Sequence, residues 1–241
     1  MKSRKAVCLL VLFCVASCIT MSCNKGNGIL VTKEINIGDY DEINVSGAAT
    51  VDYQQVDAPP YLQFKIDENM EKHVDIYVKG KILYISLKGK STIGVKPTNY
   101  IIATNSRTIN NIKTSGSVKV NLLSDVETDY LGFDLSGSTT IIANEPLIVN
   151  TLKTRISGSG NVSINGEAKT CVLNISGSGK MKALNFSTKH LDCNISGSGN
   201  VEIHVIESID CKISGSGTIT YSGNPSTINQ NISGSGKLIK K

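Results

Sequence analysis

Residues 152–179 read LKTRISGSGNVSINGEAKTCVLNISGSG, and the tetrapeptide that closes each half, Ser157–Gly160 and Ser176–Gly179, decides the fold. The same Ser-Gly-Ser-Gly returns at Ser196–Gly199, Ser214–Gly217 and Ser233–Gly236. Shorter copies sit at Ser115-Gly116-Ser117 and Ser136-Gly137-Ser138. The first serines of these seven copies are 21, 21, 19, 20, 18 and 19 residues apart. A fixed period near 20 residues marks a repeat architecture in which each unit leans on its neighbours.

Numbering each unit from its first serine as zero shows what the unit is. Position −1 is Leu135, Ile156, Ile175, Ile195, Ile213 and Ile232, and position −5 is Leu131, Leu152, Cys171, Leu191, Ile209 and Ile228. Position −3 carries Phe133, Thr154, Leu173, Cys193, Cys211 and Gln230. Position −2 between them is polar: Asp134, Arg155, Asn174, Asn194, Lys212 and Asn231. After the motif, +5 is Val120, Ile141, Val162, Met181, Val201, Ile219 and Leu238. Apolar residues at every odd position describe a strand with one buried face. The parity holds across the motif, so both glycine columns are expected to face inward, where a Cβ would crowd a corner. These are Gly158, Gly177, Gly197, Gly215 and Gly234 at +1, and Gly160, Gly179, Gly199, Gly217 and Gly236 at +3. A flexible Gly/Ser linker would not recur in phase with a flanking Ile and Val.

A single unit cannot close a core alone, but stacked units can, each adding ~4.8 Å along the axis. The expected fold is all-β: a right-handed parallel β-helix, or solenoid, of about 20-residue SGSG coils, with seven coils spanning ~34 Å. Composition agrees. With 40% hydrophobic residues, 5% aromatics, no tryptophan and five prolines, the core is built from Ile, Val and Leu. It is too apolar for a disordered chain and too poor in proline for a collagen-like one.

Upstream, YLQFKI (61–66), VDIYV (74–78) and ILYISL (82–87) alternate without following the period, and Lys79-Gly80-Lys81 reads as a hairpin turn. Val45-Ser46-Gly47-Ala48 reads as a worn copy of the corner. This divides the chain into residues 1–22, a lipoprotein signal peptide; 23–34, a flexible tether; and 35–241, the β-helix. Within the last, 35–110 form an N-terminal capping part and 111–241 the repeat coils. The lysines of KLIKK (237–241) are placed to deter edge-to-edge stacking at the last coil.

The N-terminus carries the address. Lys2, Arg4 and Lys5 precede the apolar run AVCLLVLFCV (6–15), which is export-signal length and too short for a stable membrane span. Val15-Ala16-Ser17-Cys18 and Thr20-Met21-Ser22-Cys23 both resemble the lipobox at which a bacterial signal peptidase cleaves and a cysteine is lipidated. Cys23 is preferred because a polar NKGNG (24–28) follows it; Cys18 is the alternative, and secretion without a lipid is the competing reading. The expected location is the cell envelope, lipid-anchored to the outer membrane, with periplasmic face and cell surface both open. Without residues 1–22 the chain has 22 basic and 20 acidic residues, a net charge of +2. No basic stripe interleaved with aromatics is visible, so a nucleic-acid partner is not expected.

The pattern Ile37-Gly-Asp-Tyr40-Asp-Glu-Ile43-Asn-Val45-Ser-Gly47, the SGSG ladder, Tyr221-Ser-Gly-Asn-Pro225 and the closing Ile232-Ser-Gly-Ser-Gly-Lys-Leu238 resemble the GIN-domain family. Its members are described as auto-transporter adhesin head domains and are abundant in Bacteroidetes. The resemblance covers about residues 35–241 and implies a β-helix and an adhesion-type role, with no catalytic or binding residue to carry over. The toast-rack domains of envelope-stress systems are similar stacked-β modules, which supplies the alternative of a periplasmic scaffold or sensor. Fold likeness alone does not establish either function.

Parallel β-helices also include carbohydrate-active enzymes, which gather carboxylates on one outer face. Here Asp134, Glu145, Glu167, Glu202, Glu207 and Asp210 fall at different repeat positions and mark no acid/base pair. His73, His190 and His204 show no metal spacing, and Gly89-Lys90-Ser91 lacks the upstream glycine of a phosphate loop, where Tyr84 stands. No enzyme, cofactor or metal is therefore expected. Cys193 and Cys211 share position −3 in successive coils and are read, with Cys171, as buried thiols in preference to a disulfide. Asn174, Asn194 and Asn231 open Asn-Ile-Ser triplets, taken here as polar strand residues beside a turn. The expected partners are the membrane, through the lipid anchor, and a glycan or protein surface met by the outward serines and asparagines. Ligand identity and homo-oligomerisation stay open.

Overall fold

A computed structural model describes residues 25–88 and 96–241. The expected signal peptide, both lipidation candidates (Cys18 and Cys23) and Gly89-Lys90-Ser91 lie outside the described residues.

The alternation folds as a parallel β-solenoid of about six turns, with coils about 20 residues apart. Seven motif copies suggest seven coils, but each motif is a corner, and seven corners bound six complete turns. The first side of the coil stacks β8 (Val126–Gly137), β10 (Leu147–Gly158) and β12 (Gly166–Gly177). It continues through the second half of β13 (Lys180–Gly197), the second half of β14 (Asn200–Gly215) and β16 (Thr227–Gly234). All are parallel, and the first serine of each motif sits opposite the next: Ser136, Ser157, Ser176, Ser196, Ser214 and Ser233. The strand after the corner stacks β9 (Thr140–Ala143), β11 (Asn161–Ser163), the first halves of β13 and β14, β15 (Thr218–Ser222) and β17 (Lys237–Lys240).

Odd positions are buried as the period requires: Leu152, Thr154, Ile156, Val162 and Ile164 in one coil, Cys171, Leu173, Ile175, Met181 and Ala183 in the next. Each fully buried aliphatic contributes ~1.5–3 kcal/mol, and the columns repeat that gain in every coil. The coil also has a face the repeat numbering does not mark. Leu147 and Val149 are buried at even positions, and the phase flips before Leu152. The flip lies at Asn150-Thr151, where the ladder skips Asn150. A bend there gives the coil a third side. Unequal repeat lengths are absorbed on this part of the coil, where β13 and β14 shift register between Ala183 and Ser187 and between Thr188 and His190.

Below the coils, chain order and spatial order part. β2 (Glu42–Gln55) lies parallel to β7 (Asn111–Leu122) over its whole length, placing Ser46 opposite Ser115 and Gly47 opposite Gly116. On its other edge β2 receives β5 (Ile82–Leu87) against its first half and β6 (Tyr100–Ser106) against its second. The chain thus lays down one coil, returns beneath it to build a floor, then climbs past it to continue. The floor ends the parallel stack with antiparallel strands. β4 (Val74–Lys79) covers β5 through a two-residue turn in which Gly80 and Lys81 have φ of 58° and 63°, the type I′ geometry of tight hairpins. β3 (Leu62–Asp67) covers β6, and β1 (Leu30–Glu34) covers β3.

β1 corrects the expected tether over residues 23–34. All five of its residues pair with Asp67–Gln63, and Lys25 bridges Lys96. The reason is the free edge of β3, whose backbone groups need partners, together with a buried carboxylate that holds the segment down. Asp67 accepts hydrogen bonds from the backbone of Gly28 (2.8 Å), from the backbone and hydroxyl of Thr98 (2.7 and 2.5 Å), and from the backbone of Asn99 (3.3 Å). Burial alone would raise its pKa, but these hydrogen bonds outweigh burial and hold the carboxyl below the usual carboxylate range.

Candidate functional site

The two glycine columns differ in what they do, and the difference shapes the outer face. At +3 the glycines do face the core: a Cβ on Gly179 would lie 2.8 Å from Cγ2 of Ile156 and 3.0 Å from Cγ2 of Ile175. At +1 they do not, contrary to the parity expectation. Gly177 has φ +118°, and a Cβ there would lie 2.7 Å from the carbonyl oxygen of Gly158 in the coil below. The +1 column is therefore a backbone-on-backbone stack, in a left-handed conformation that only glycine adopts cheaply. Where the motif is incomplete, the +3 site is filled from the sequence around it. Thr139 takes the place of glycine, the preceding coil has Thr114 where others have leucine or isoleucine, and the two buried hydroxyls lie 2.9 Å apart.

On the outside, just before the corner, positions −2 and 0 line a groove of about 860 Å³ that runs along the solenoid axis. Its rungs are Lys113/Ser115, Asp134/Ser136, Arg155/Ser157, Asn174/Ser176, Asn194/Ser196 and Lys212/Ser214. Strand register sets each rung directly on the next, from Lys113 opposite Asp134 to Asn194 opposite Lys212. That is five steps, or ~24 Å. The serines are exposed, while Asn174, Asn194 and Asp134 are half-buried. Arg155 donates to Asp134 at 3.0 Å, and Asn194 donates through Nδ2 to Asp192 at 3.1 Å. Exposed pairs of this kind contribute ~0–1 kcal/mol to stability, so their weight is in orienting the groove wall.

The groove offers a serine hydroxyl, which both donates and accepts, once per coil, beside a −2 side chain that is an amide in two rungs and charged in four. It holds no cysteine or histidine and only one carboxylate, Asp134. The repeat numbering names every −2 side chain of this wall except Lys113, which the shorter motif at Ser115 could have supplied. It does not reveal the concavity, which depends on how the strand turns into the corner.

The other singled-out residues are scattered. His73 Nδ1 lies 3.0 Å from the carbonyl oxygen of Lys88, His190 Nδ1 2.9 Å from Ser208 Oγ, and His204 Nδ1 2.9 Å from Ser222 Oγ. Among the described residues no cluster of three or more His, Cys, Asp or Glu could hold a metal ion. Cys171, Cys193 and Cys211 are free and buried, and burial raises all three thiol pKa values. A second, smaller hollow of about 470 Å³ lies at the Asn150 bend, lined by Glu127, Asp129, Glu167, Lys169 and Lys189 around Ile148 and Ile206. Among the described residues, no helix is long and apolar enough to cross a membrane.

Several solved structures share this architecture. A "putative adhesin" from Bacteroides fragilis superposes with a TM-score of 0.82 at 23% identity, covering 90% of this chain and 99% of that one. A "putative lipid binding protein" from Parabacteroides distasonis gives a TM-score of 0.75 at 30% identity over 90% of this chain and 98% of its own. A "putative adhesin" from Parabacteroides merdae gives 0.66 at 27% over 90% and 98%. No curated protein sequence matches the chain. The family model described as "Putative auto-transporter adhesin, head GIN domain" matches residues 39–225, and the chain belongs to that family.

Proposed function

We propose that this chain is a non-enzymatic, lipid-anchored protein of the cell envelope whose groove holds a linear glycan, giving it an adhesion-type role. The observation that carries the reading is the unbroken register of eight serines, from Ser46 through Ser115 to Ser233, with a polar side chain at −2 of every rung. The coil spacing of ~4.8 Å is close to the length of one pyranose in an extended chain. Each sugar would therefore meet the same serine hydroxyl as the sugar before it, beside a polar side chain at −2. Family membership supports the adhesion-type role.

The anchor is assigned to Cys23, with Cys18 as the alternative. Radiolabelled palmitate should be lost from the Cys23→Ser variant and retained by Cys18→Ser; retention by Cys23→Ser moves the anchor. The groove is tested with the full-length protein on an array of linear glycans. Ser176→Trp fills the middle of the groove from an exposed position. Binding should fall at least tenfold with the melting temperature unchanged. If the unmodified protein binds no glycan, or Ser176→Trp binds as well, the groove is not the site.

A further inference from the structure

We infer that the groove selects a linear glycan carrying carboxylates at intervals over a neutral chain of equal length. The inference rests on the glycan reading above and adds the ligand's charge.

The groove wall carries four charges: Lys113, Asp134, Arg155 and Lys212. Asp134 and Arg155 satisfy one another. Lys113 and Lys212 have no carboxylate within 4 Å among the described residues, and both are exposed. The uncompensated positive charge therefore sits near the two ends of the groove, ~24 Å apart along the ladder. Between them the wall has no net charge: the Asp134–Arg155 pair is followed by the half-buried amides of Asn174 and Asn194. A chain occupying the whole groove meets a cation at each end and amides in the middle.

The acids nearby limit how dense the ligand's charge can be. Asp192 and Asp210, two positions before Asn194 and Lys212 on the same outward side, are exposed and border the far end. With Asp134 they oppose a polymer charged at every residue. A chain with neutral sugars between its acids brings carboxylates to the lysines while setting a neutral sugar opposite Asp134. Lysine suits this role, since a flexible point charge tolerates variation in where the carboxylate falls.

The test is calorimetric titration of the full-length protein with a hyaluronan oligosaccharide, whose carboxylates fall on alternate sugars. A β-1,4-glucan oligosaccharide of equal length and polygalacturonate, charged on every sugar, serve as comparisons. The hyaluronan fragment should bind roughly tenfold tighter than the glucan, consistent with two charge-assisted contacts. Raising the salt should shrink that preference, and the Lys113→Gln/Lys212→Gln variant should abolish it, its affinities for the two chains becoming equal. Equal affinity for the two chains, a preference that survives the double variant, or tighter binding of polygalacturonate overturns the inference. In those cases, glucan binding that Ser176→Trp abolishes leaves the groove reading standing. If neither chain binds, the groove reading fails and this one fails with it.

Discussion

The coils above β7 and the floor below β2 solve the same problem with opposite means. In the coils every strand is templated by the one laid down a single repeat earlier, and a side chain's fate is decided by its repeat number. In the floor, partners are far apart and irregular: β2 finds β7 only after β3, β4, β5 and β6 have intervened, and antiparallel strands replace parallel ones. A parallel stack cannot terminate itself, because each added coil presents the edge it has just covered. The floor therefore abandons the repeat. It is fastened by buried tyrosine hydroxyls, Tyr40–Thr104 at 2.7 Å and Tyr53–Ser106 at 2.8 Å, and by the buried Met70 on the short 3₁₀ turn. Repetition carries the length of the rod, and aperiodic packing closes its end.

The corner glycines give the sharpest way to break this comparison. Gly47 and Gly177 hold equivalent corners with φ of +98° and +118°, so an alanine at either is conformationally strained. Only Gly177 has a coil corner beneath it. A Cβ at Gly47 meets nothing within 4 Å, whereas one at Gly177 meets the Gly158 carbonyl at 2.7 Å. Backbone cannot step aside as a side-chain tip can. Gly47→Ala should cost ~1–2 kcal/mol, the left-handed penalty alone. Gly177→Ala should cost ~3 kcal/mol or more, because strain and backbone displacement add. Urea denaturation of the two variants measures the difference. Equal losses would mean that strain alone, and not stacking, reserves the corner for glycine.

This contrast also explains what the sequence could convey. The coil fold was legible because Ile156, Ile175, Ile195 and Ile213 repeat a local rule that a period exposes. The third side of the coil was hidden, since Leu147 and Val149 obey the same alternation with a phase that flips at an unremarkable Asn150-Thr151. The floor was visible only as strands without partners, because antiparallel pairing of β3 with both β1 and β6 leaves no periodic trace. The strand at Leu30–Glu34 carries no signal that separates it from a tether. Its side chains are mostly exposed, and what orders it is Asp67, distant in the chain and near only in the fold. Half of the candidate site was legible as chemistry, in the serines and the polar side chains two places before them. Its concavity was not, being a property of how those rungs curve together.

Asp67 gives a smaller effect that sharpens the same comparison, because it fastens the floor and has no counterpart in the coils. Its carboxyl accepts from Gly28, Thr98 and Asn99 at once, and replacing it with asparagine removes charge-assisted acceptors from donors that are already placed. Asp67→Asn should cost ~1–2 kcal/mol near neutral pH. The sign of the pH dependence follows from the lowered folded-state pKa. An unfolded aspartate titrates near ~3.9, so the stabilisation is fully present above that value and is lost as pH falls through the lower folded value. Urea midpoints of the two proteins should therefore differ at pH 7 and converge in strong acid. Limited proteolysis localises the effect: the variant should be cut faster around residues 25–34 at pH 7, with the coils from 126 onward cut no faster than before. A gap that persists unchanged in acid would show that the Asp67 contribution is packing rather than ionised hydrogen bonding. Faster cutting throughout would show that floor and coils unfold as one unit, and that the end of the rod is no more separable than its middle.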